Sequence, residues 1–156
     1  MKYLLCAIAL SAAFASCQIS HSPMPYFMFY DLNGQAKTNE DLITHKPTVL
    51  VFFHPKCEHC QTEADSIVQR AAEFKGAQVA FVSADTVAHI AAFDSTYQLS
   101  AHGFEVWHDR QRIGKPKFEV KDAPTVVVYS TARELVVRFR GAPTMQQLLT
   151  KIKEAK

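Results

Sequence analysis

Residues 47–61 read Pro47-Thr48-Val49-Leu50-Val51-Phe52-Phe53-His54-Pro55-Lys56-Cys57-Glu58-His59-Cys60-Gln61. The run Val49 to Phe53 is apolar, β-branched and aromatic, the composition of a buried strand. His54-Pro55-Lys56 breaks it, and Cys57-Glu58-His59-Cys60 opens a helical pattern. A strand that delivers Cys-x-x-Cys to a helix start has a physical use. Unsatisfied N–H groups and the positive end of the helix dipole stabilise a thiolate there, and the thiolate is the nucleophile of disulfide exchange. In this reading Cys57, at the exposed helix end, attacks, and Cys60, one turn in and more buried, resolves the mixed disulfide. A zinc site lacks the second cysteine pair that would complete it. Haem attachment needs a histidine directly after the second cysteine, and position 61 is Gln61.

The rest of the cysteine count supports working chemistry. Met1-Lys2 is a short positive start, and Tyr3 to Ala15 is an apolar run too short to span and stay, so residues 1–16 read as a signal peptide. The segment ends Phe14-Ala15-Ser16-Cys17, which resembles a bacterial lipobox, with Phe14 in place of the usual leucine. On that reading Cys17 is acylated and becomes the new N-terminus. Cys6 then leaves with the signal, and of four cysteines only Cys57 and Cys60 remain as a pair. Residues 17–25, polar and proline-containing, read as a lipidated tether, and 26–156 as one domain. Loss of Lys2 leaves 16 basic residues against 15 acidic ones, a balance that argues for no nucleic acid.

Along the domain, Tyr26 to Tyr30 is strand-like and Asp31-Leu32-Asn33-Gly34 predicts a hairpin turn, since Asn and Gly both tolerate positive φ. Thr38 to Asp41 offers a helix cap. From Cys57 the apolar stripe Cys60, Ala64, Ile67, Val68, Ala71, Phe74 predicts one helix ending at Gly76. Gln78 to Ala84 is a second buried strand. Asp85-Thr86 caps a helix whose apolar face holds Val87, Ile90, Ala91 and Phe93. A short strand near Glu105-Val106-Trp107 leads to a loop and a helical turn. Thr125 to Tyr129 and Leu135 to Phe139 pair as strands, and Met145, Leu148, Leu149 and Ile152 mark a last helix. Alternating strands and helices, then a hairpin and a closing helix, give an α/β fold with a mixed central sheet.

Several side chains near the pair have readable electrostatics. Imidazolium at His59 and ammonium at Lys56 favour a Cys57 thiolate, and a carboxylate at Glu58 opposes it. A steadier thiolate means a steadier reduced state and a more oxidising disulfide. Glu63, three residues beyond Cys60, lies beside it on the helix. If buried, it takes or supplies the Cys60 proton; if exposed, it is an ordinary surface glutamate. His54 is a second candidate for tuning.

Together these parts resemble the TlpA/ResA type of thioredoxin-fold thiol–disulfide oxidoreductase, the membrane-tethered extracytoplasmic branch, over residues 27–156. The likeness rests on Asp31-Leu32-Asn33-Gly34, the Val49-to-Cys60 block, Phe118 to Thr125 (FEVKDAPT) and Gly141 before the final helix. It implies a thioredoxin-like fold, with an N-terminal hairpin and flanking helices on the mixed sheet. It also implies a cis Pro124 facing the cysteines, with the backbone of Ala123 binding an extended substrate. Family members with a glutamate at the position of Glu63 strengthen its catalytic reading. A reversible Cys57–Cys60 disulfide would serve exported proteins with thiols or disulfides and a membrane redox donor or acceptor. The protein would be a monomer without cofactor or metal, lipid-anchored in a bacterial cell envelope and facing the periplasm. Lys56 and His59 replace the tryptophan and proline usual around the first and second cysteines. A histidine at the latter position accompanies more oxidising members, so the likeness implies a reaction class, with reduction the expected direction. Two alternatives share the fold. A thiol peroxidase needs Thr or Ser three residues before its cysteine, where His54 stands. A copper-binding assembly factor would use Cys57, Cys60 and a distal histidine such as His108.

Overall fold

The computed structural model describes residues 22–156. The expected signal peptide, Cys17 and the tether as far as residue 21 lie outside them. Ser22 to Met24 run along the domain: Pro23 forms a β-bridge with Glu134, and Met24 N donates to Arg133 O at 2.8 Å. Met24 is buried, so its thioether covers the sheet rather than extending from it.

Seven strands form one mixed sheet: β1 (Met28–Asp31), β2 (Ala36–Thr38), β3 (Thr48–Phe52), β4 (Gln78–Ser83), β5 (Glu105–His108), β6 (Thr125–Tyr129) and β7 (Leu135–Arg140). Their order is β2-β1-β5-β4-β3-β6-β7. The β3–β4 and β4–β5 pairs are parallel, and the pairs toward both edges are antiparallel. β3, β4 and β6 are buried at every position, as expected of central strands covered on both faces.

The period-two alternation of strand side chains sorts the core. Val49, Val51 and Phe53 face α1 (Glu58–Gln69), α2 (Val87–Tyr97) and α4 (Met145–Glu154), whose Ile67, Ile90, Leu148 and Ile152 complete that layer. Leu50 and Phe52 face the opposite layer, where Phe27, Phe29, Trp107 and Phe118 pack as a cluster of rings; Phe118 ends the short α3 (Gly114–Phe118).

Three local expectations need correction. The first helix stops at Gln69, and Ala71–Phe74 continues as a 3-10 turn. Arg70 leaves the helical path with φ −115°, and its N–H donates to Ile67 O three residues back. Val87 lies outside the buried face of α2, being 41% exposed beside the Thr86 cap. In the β1–β2 turn only Gly34 takes positive φ (+81°). Asp31 does the remaining work, its Oδ1 accepting from Asn33 N and Gln35 N, both at 2.9 Å.

Candidate active site

Cys57 is the N-cap residue of α1, with extended backbone at φ −87° and ψ 116°. A side chain in this position can accept from the free N–H groups of the first turn. Its Sγ accepts from Cys60 N at 3.4 Å. The same sulfur reaches across to the β6 side and donates to Ala123 O at 3.6 Å. Cys57 N donates in turn to His54 O at 3.0 Å, which fixes the bend after β3. Both cysteines are free thiols; Cys57 is half-buried and Cys60 is buried. The Ala123–Pro124 bond is cis. A sequence separation of 66 residues is thus closed at one sulfur.

Cys60 and Glu63 lie on the inner face of α1. Burial, and then the hydrogen bond with Cys57, push the Cys60 thiol up to about 12. Its proton therefore stays on at neutral pH unless a base removes it. Glu63 is only 2% exposed, so it is not a surface glutamate. Its Oε1 is buried with no hydrogen-bond partner among the described residues. Burial alone raises this carboxyl to about 7, so it exchanges a proton near neutrality. The negative charge of Glu63 also raises Cys60, a sign of their proximity.

Lys56, Glu58 and His59 are exposed and form no ion pair among the described residues. Both nitrogens of the His54 ring have partners other than the sulfurs. Its Nδ1 accepts from Lys56 N at 3.2 Å, and its Nε2 lies 3.3 Å from Asp85 Oδ2. The other carboxylate oxygen of Asp85 meets His89 Nδ1 at 2.9 Å. The bond to His89, then the one from Thr86 N, hold Asp85 below its ordinary range. Asp85 reads in sequence as a helix cap; its position between two histidines four and thirty-one residues away carries no sequence signal. His108 sits at the end of β5, its pKa lowered chiefly by burial. It is not grouped with Cys57 and Cys60, and no metal-binding group of three His, Cys, Asp or Glu occurs among the described residues.

A cavity of about 390 Å³ opens next to Ala123, the residue whose carbonyl meets Cys57 Sγ, and neither cysteine lines it. Phe52, Val82, Val120 and Ala123 give it apolar walls, His54 and Asp85 one side, and Arg112, Lys115 and Lys121 its cations. Asp109 supports the far wall. Its two oxygens accept from Ile113 N at 2.8 Å and Gly114 N at 2.7 Å, so the turn into α3 is fixed from below. Sequence reading missed Arg112, Lys115, Lys121 and Asp109, because only the crossing of distant segments brings them together.

The sequence model of the AhpC/TSA family matches residues 21–138. No curated protein matches the chain. Among solved structures, DsbF of Mycobacterium tuberculosis, in mixed oxidised and reduced forms, is 24% identical with TM-score 0.74, over 83% of this chain and 95% of that one. A secreted disulfide oxidoreductase of the same organism, homologous to DsbE of E. coli, is 23% identical with TM-score 0.70, over 82% and 95%. Peroxidoxin BcpB, also of M. tuberculosis, is 20% identical with TM-score 0.74, over 87% and 97%. At these identities the likeness is one of fold, and the fold is thioredoxin-like.

Proposed function

From the premise that the chain belongs to the AhpC/TSA family, we propose that it exchanges disulfides in exported proteins through the Cys57–Cys60 pair, in the reducing direction. The carrying observation is the asymmetry of the two sulfurs: Cys57 half-buried at a helix N-cap against Ala123 O, Cys60 buried next to a poised carboxyl. A Cys57 thiolate attacks one sulfur of a substrate disulfide, forming a mixed disulfide and releasing one substrate thiolate. Cys60 then passes its proton to the Glu63 carboxylate and attacks Cys57 Sγ. That closes the Cys57–Cys60 disulfide and releases the second substrate thiolate. Two electrons reach the substrate, and an external dithiol at the membrane restores the pair.

Lys56, Glu58 and His59 flank the pair in sequence and are exposed to an incoming substrate. The backbone at Ala123 and Pro124 lines the approach of an extended substrate. A peroxide cycle is disfavoured by His54, which stands three residues before Cys57 with both ring nitrogens engaged elsewhere. The secreted structural relative supports an extracytoplasmic location, and Cys17 supplies a lipid anchor in the bacterial envelope.

The reduction potential of the couple tests this. A value near about −270 mV fits a reductase; about −120 to −180 mV would make the protein an oxidase or isomerase. Failure to form a reversible Cys57–Cys60 disulfide, with peroxide-driven sulfenic acid at Cys57 instead, would replace the reading by the peroxidase.

A further inference from the structure

The cavity that adjoins Ala123, whose carbonyl meets Cys57 Sγ, carries charged groups that the exchange chemistry does not require. Three cations line it, Arg112, Lys115 and Lys121, against three carboxylates, Asp85, Asp109 and Asp122. The formal charges balance, but two of those carboxylates are already engaged, and only Asp122 is exposed without an ion pair among the described residues. Asp109 is 4% exposed with both oxygens on backbone N–H groups. Asp85 sits between His54 and His89. The cations are not engaged: all three are exposed and make no ion pair among the described residues. Their sequence neighbours differ. Arg110 lies over the Tyr30 ring at 3.7 Å, and Lys117 donates to Tyr26 O, both away from the cavity. So the connection between β5 and β6 sorts its basic residues into two that brace the fold and three that line an opening beside Ala123, where they outnumber the one unengaged carboxylate, Asp122.

We infer that this cavity receives an acidic segment of the protein substrate, its Asp and Glu side chains meeting Arg112, Lys115 and Lys121 while the chain passes Ala123 and presents its disulfide to Cys57. The inference rests on the exchange reaction proposed above and adds the substrate's charge. Apolar walls at Phe52, Val82 and Val120 accept the side chains that alternate with the acidic ones in an extended strand. Charges on an open rim act mainly on encounter rate and on rejection of wrong partners. The selectivity is therefore sensitive to salt.

The test uses the full chain in its reduced form and three disulfide-bonded peptide pairs of one length, with flanking positions filled by Glu, Gln or Lys. The second-order exchange rate is read at low and high ionic strength. The expected order is Glu over Gln over Lys, with about a tenfold span at low salt that shrinks as salt rises. The triple variant Arg112→Glu, Lys115→Glu, Lys121→Glu should invert the order. A control with Lys151→Glu and Lys153→Glu on α4 should keep it. Equal rates for the three peptides at low salt, or an order unchanged in the triple variant, overturns the inference while leaving the exchange reaction standing. If the triple variant does not fold, the salt dependence of the unaltered chain decides: opposite slopes for the Glu and Lys peptides support the acidic segment, and parallel slopes refute it. No exchange with any peptide removes the reaction itself, and the inference with it.

Discussion

Two buried carboxylates flank the candidate site, and the protein treats them in opposite ways. Asp109, under the turn into α3, is 4% exposed and gives each oxygen a backbone N–H. Glu63, on α1, is 2% exposed and leaves Oε1 without a hydrogen-bond partner among the described residues. A satisfied carboxylate in low dielectric is a fastener; an unsatisfied one costs stability and holds a proton more readily. The first carboxylate fixes the wall of a cavity. The second stands beside a thiol that burial keeps protonated, where an acceptor is needed. The contrast is between a satisfied and an unsatisfied buried carboxylate.

The sharpest way to break the contrast is Glu63→Gln, which keeps the shape and removes the base. Resolution of the mixed disulfide by Cys60 should slow on the order of 10²–10³-fold, while the initial attack by Cys57 is little changed. Rapid quenching of a single turnover should therefore trap the mixed disulfide. In the unaltered protein the resolving rate should climb as pH rises through about 7, because only ionised Glu63 accepts the proton. Equal resolving rates in the variant and the parent would remove Glu63 from the chemistry.

Asp109→Ala probes the other carboxylate. It leaves two backbone N–H groups without their acceptor, each bond to a charged group being worth about 1.5–3 kcal/mol. A loss of about 3–5 kcal/mol in denaturant unfolding is expected, with resolution of the mixed disulfide unaffected in the folded fraction. A slowed resolving step would mean that the two carboxylates are not separate devices.

The same pair differs in its pH dependence of stability. The Glu63 carboxyl is raised from its ordinary 4.5 to about 7, so between those pH values the folded state binds more proton than the unfolded state. Its contribution is fully present below about 4.5 and is lost as pH rises to about 7. At roughly 1.4 kcal/mol per pH unit the change is about 3 kcal/mol. Glu63→Gln should flatten that part of the profile and leave the variant the more stable protein at pH 8. A parent profile that is already flat from pH 4.5 to 7 would contradict the burial of an ionisable Glu63.

Much of this architecture is legible in the chain. Val49 to Phe53, Gln78 to Ala84 and Thr125 to Tyr129 carry the strand signal in side-chain shape, and Cys57-x-x-Cys60 announces its helix position by following one of them. Buried faces predicted from periodicity hold for Ile67, Ile90 and Leu148. Val87 fails because a residue just inside a cap can meet the helical period and still face solvent. The break at Arg70 fails similarly, since the apolar stripe runs on through Phe74 in the 3-10 turn and hides the change of helix type. What no local pattern carries is convergence. His54 meeting Asp85, or Arg112, Lys115 and Lys121 facing Ala123, depends on which strand ends lie side by side, a property of sheet order rather than of spacing.

The smallest of these tests asks whether the Asp109 wall is as rigid as its hydrogen bonds suggest. Gly114 is buried at the start of α3, and a Cβ there would lie 2.9 Å from Phe52 Cε1 and 3.0 Å from Asp109 Oδ2. Neither neighbour has an easy way to yield. Phe52 is 5% exposed, with its ring packed against Phe118 at 5.3 Å, and Asp109 is held by Ile113 N as well. Gly114→Ala should therefore cost about 2 kcal/mol through overpacking. Gly34→Ala supplies the counterpart: nothing lies within 4 Å, so its cost comes from a φ of +81° alone, about 1 kcal/mol. Denaturation midpoints for the two variants rank packing against backbone strain. If Gly114→Ala is neutral, Phe52 or Asp109 must move to admit the methyl group, and the fixed wall gives way to one that adapts to what enters the cavity.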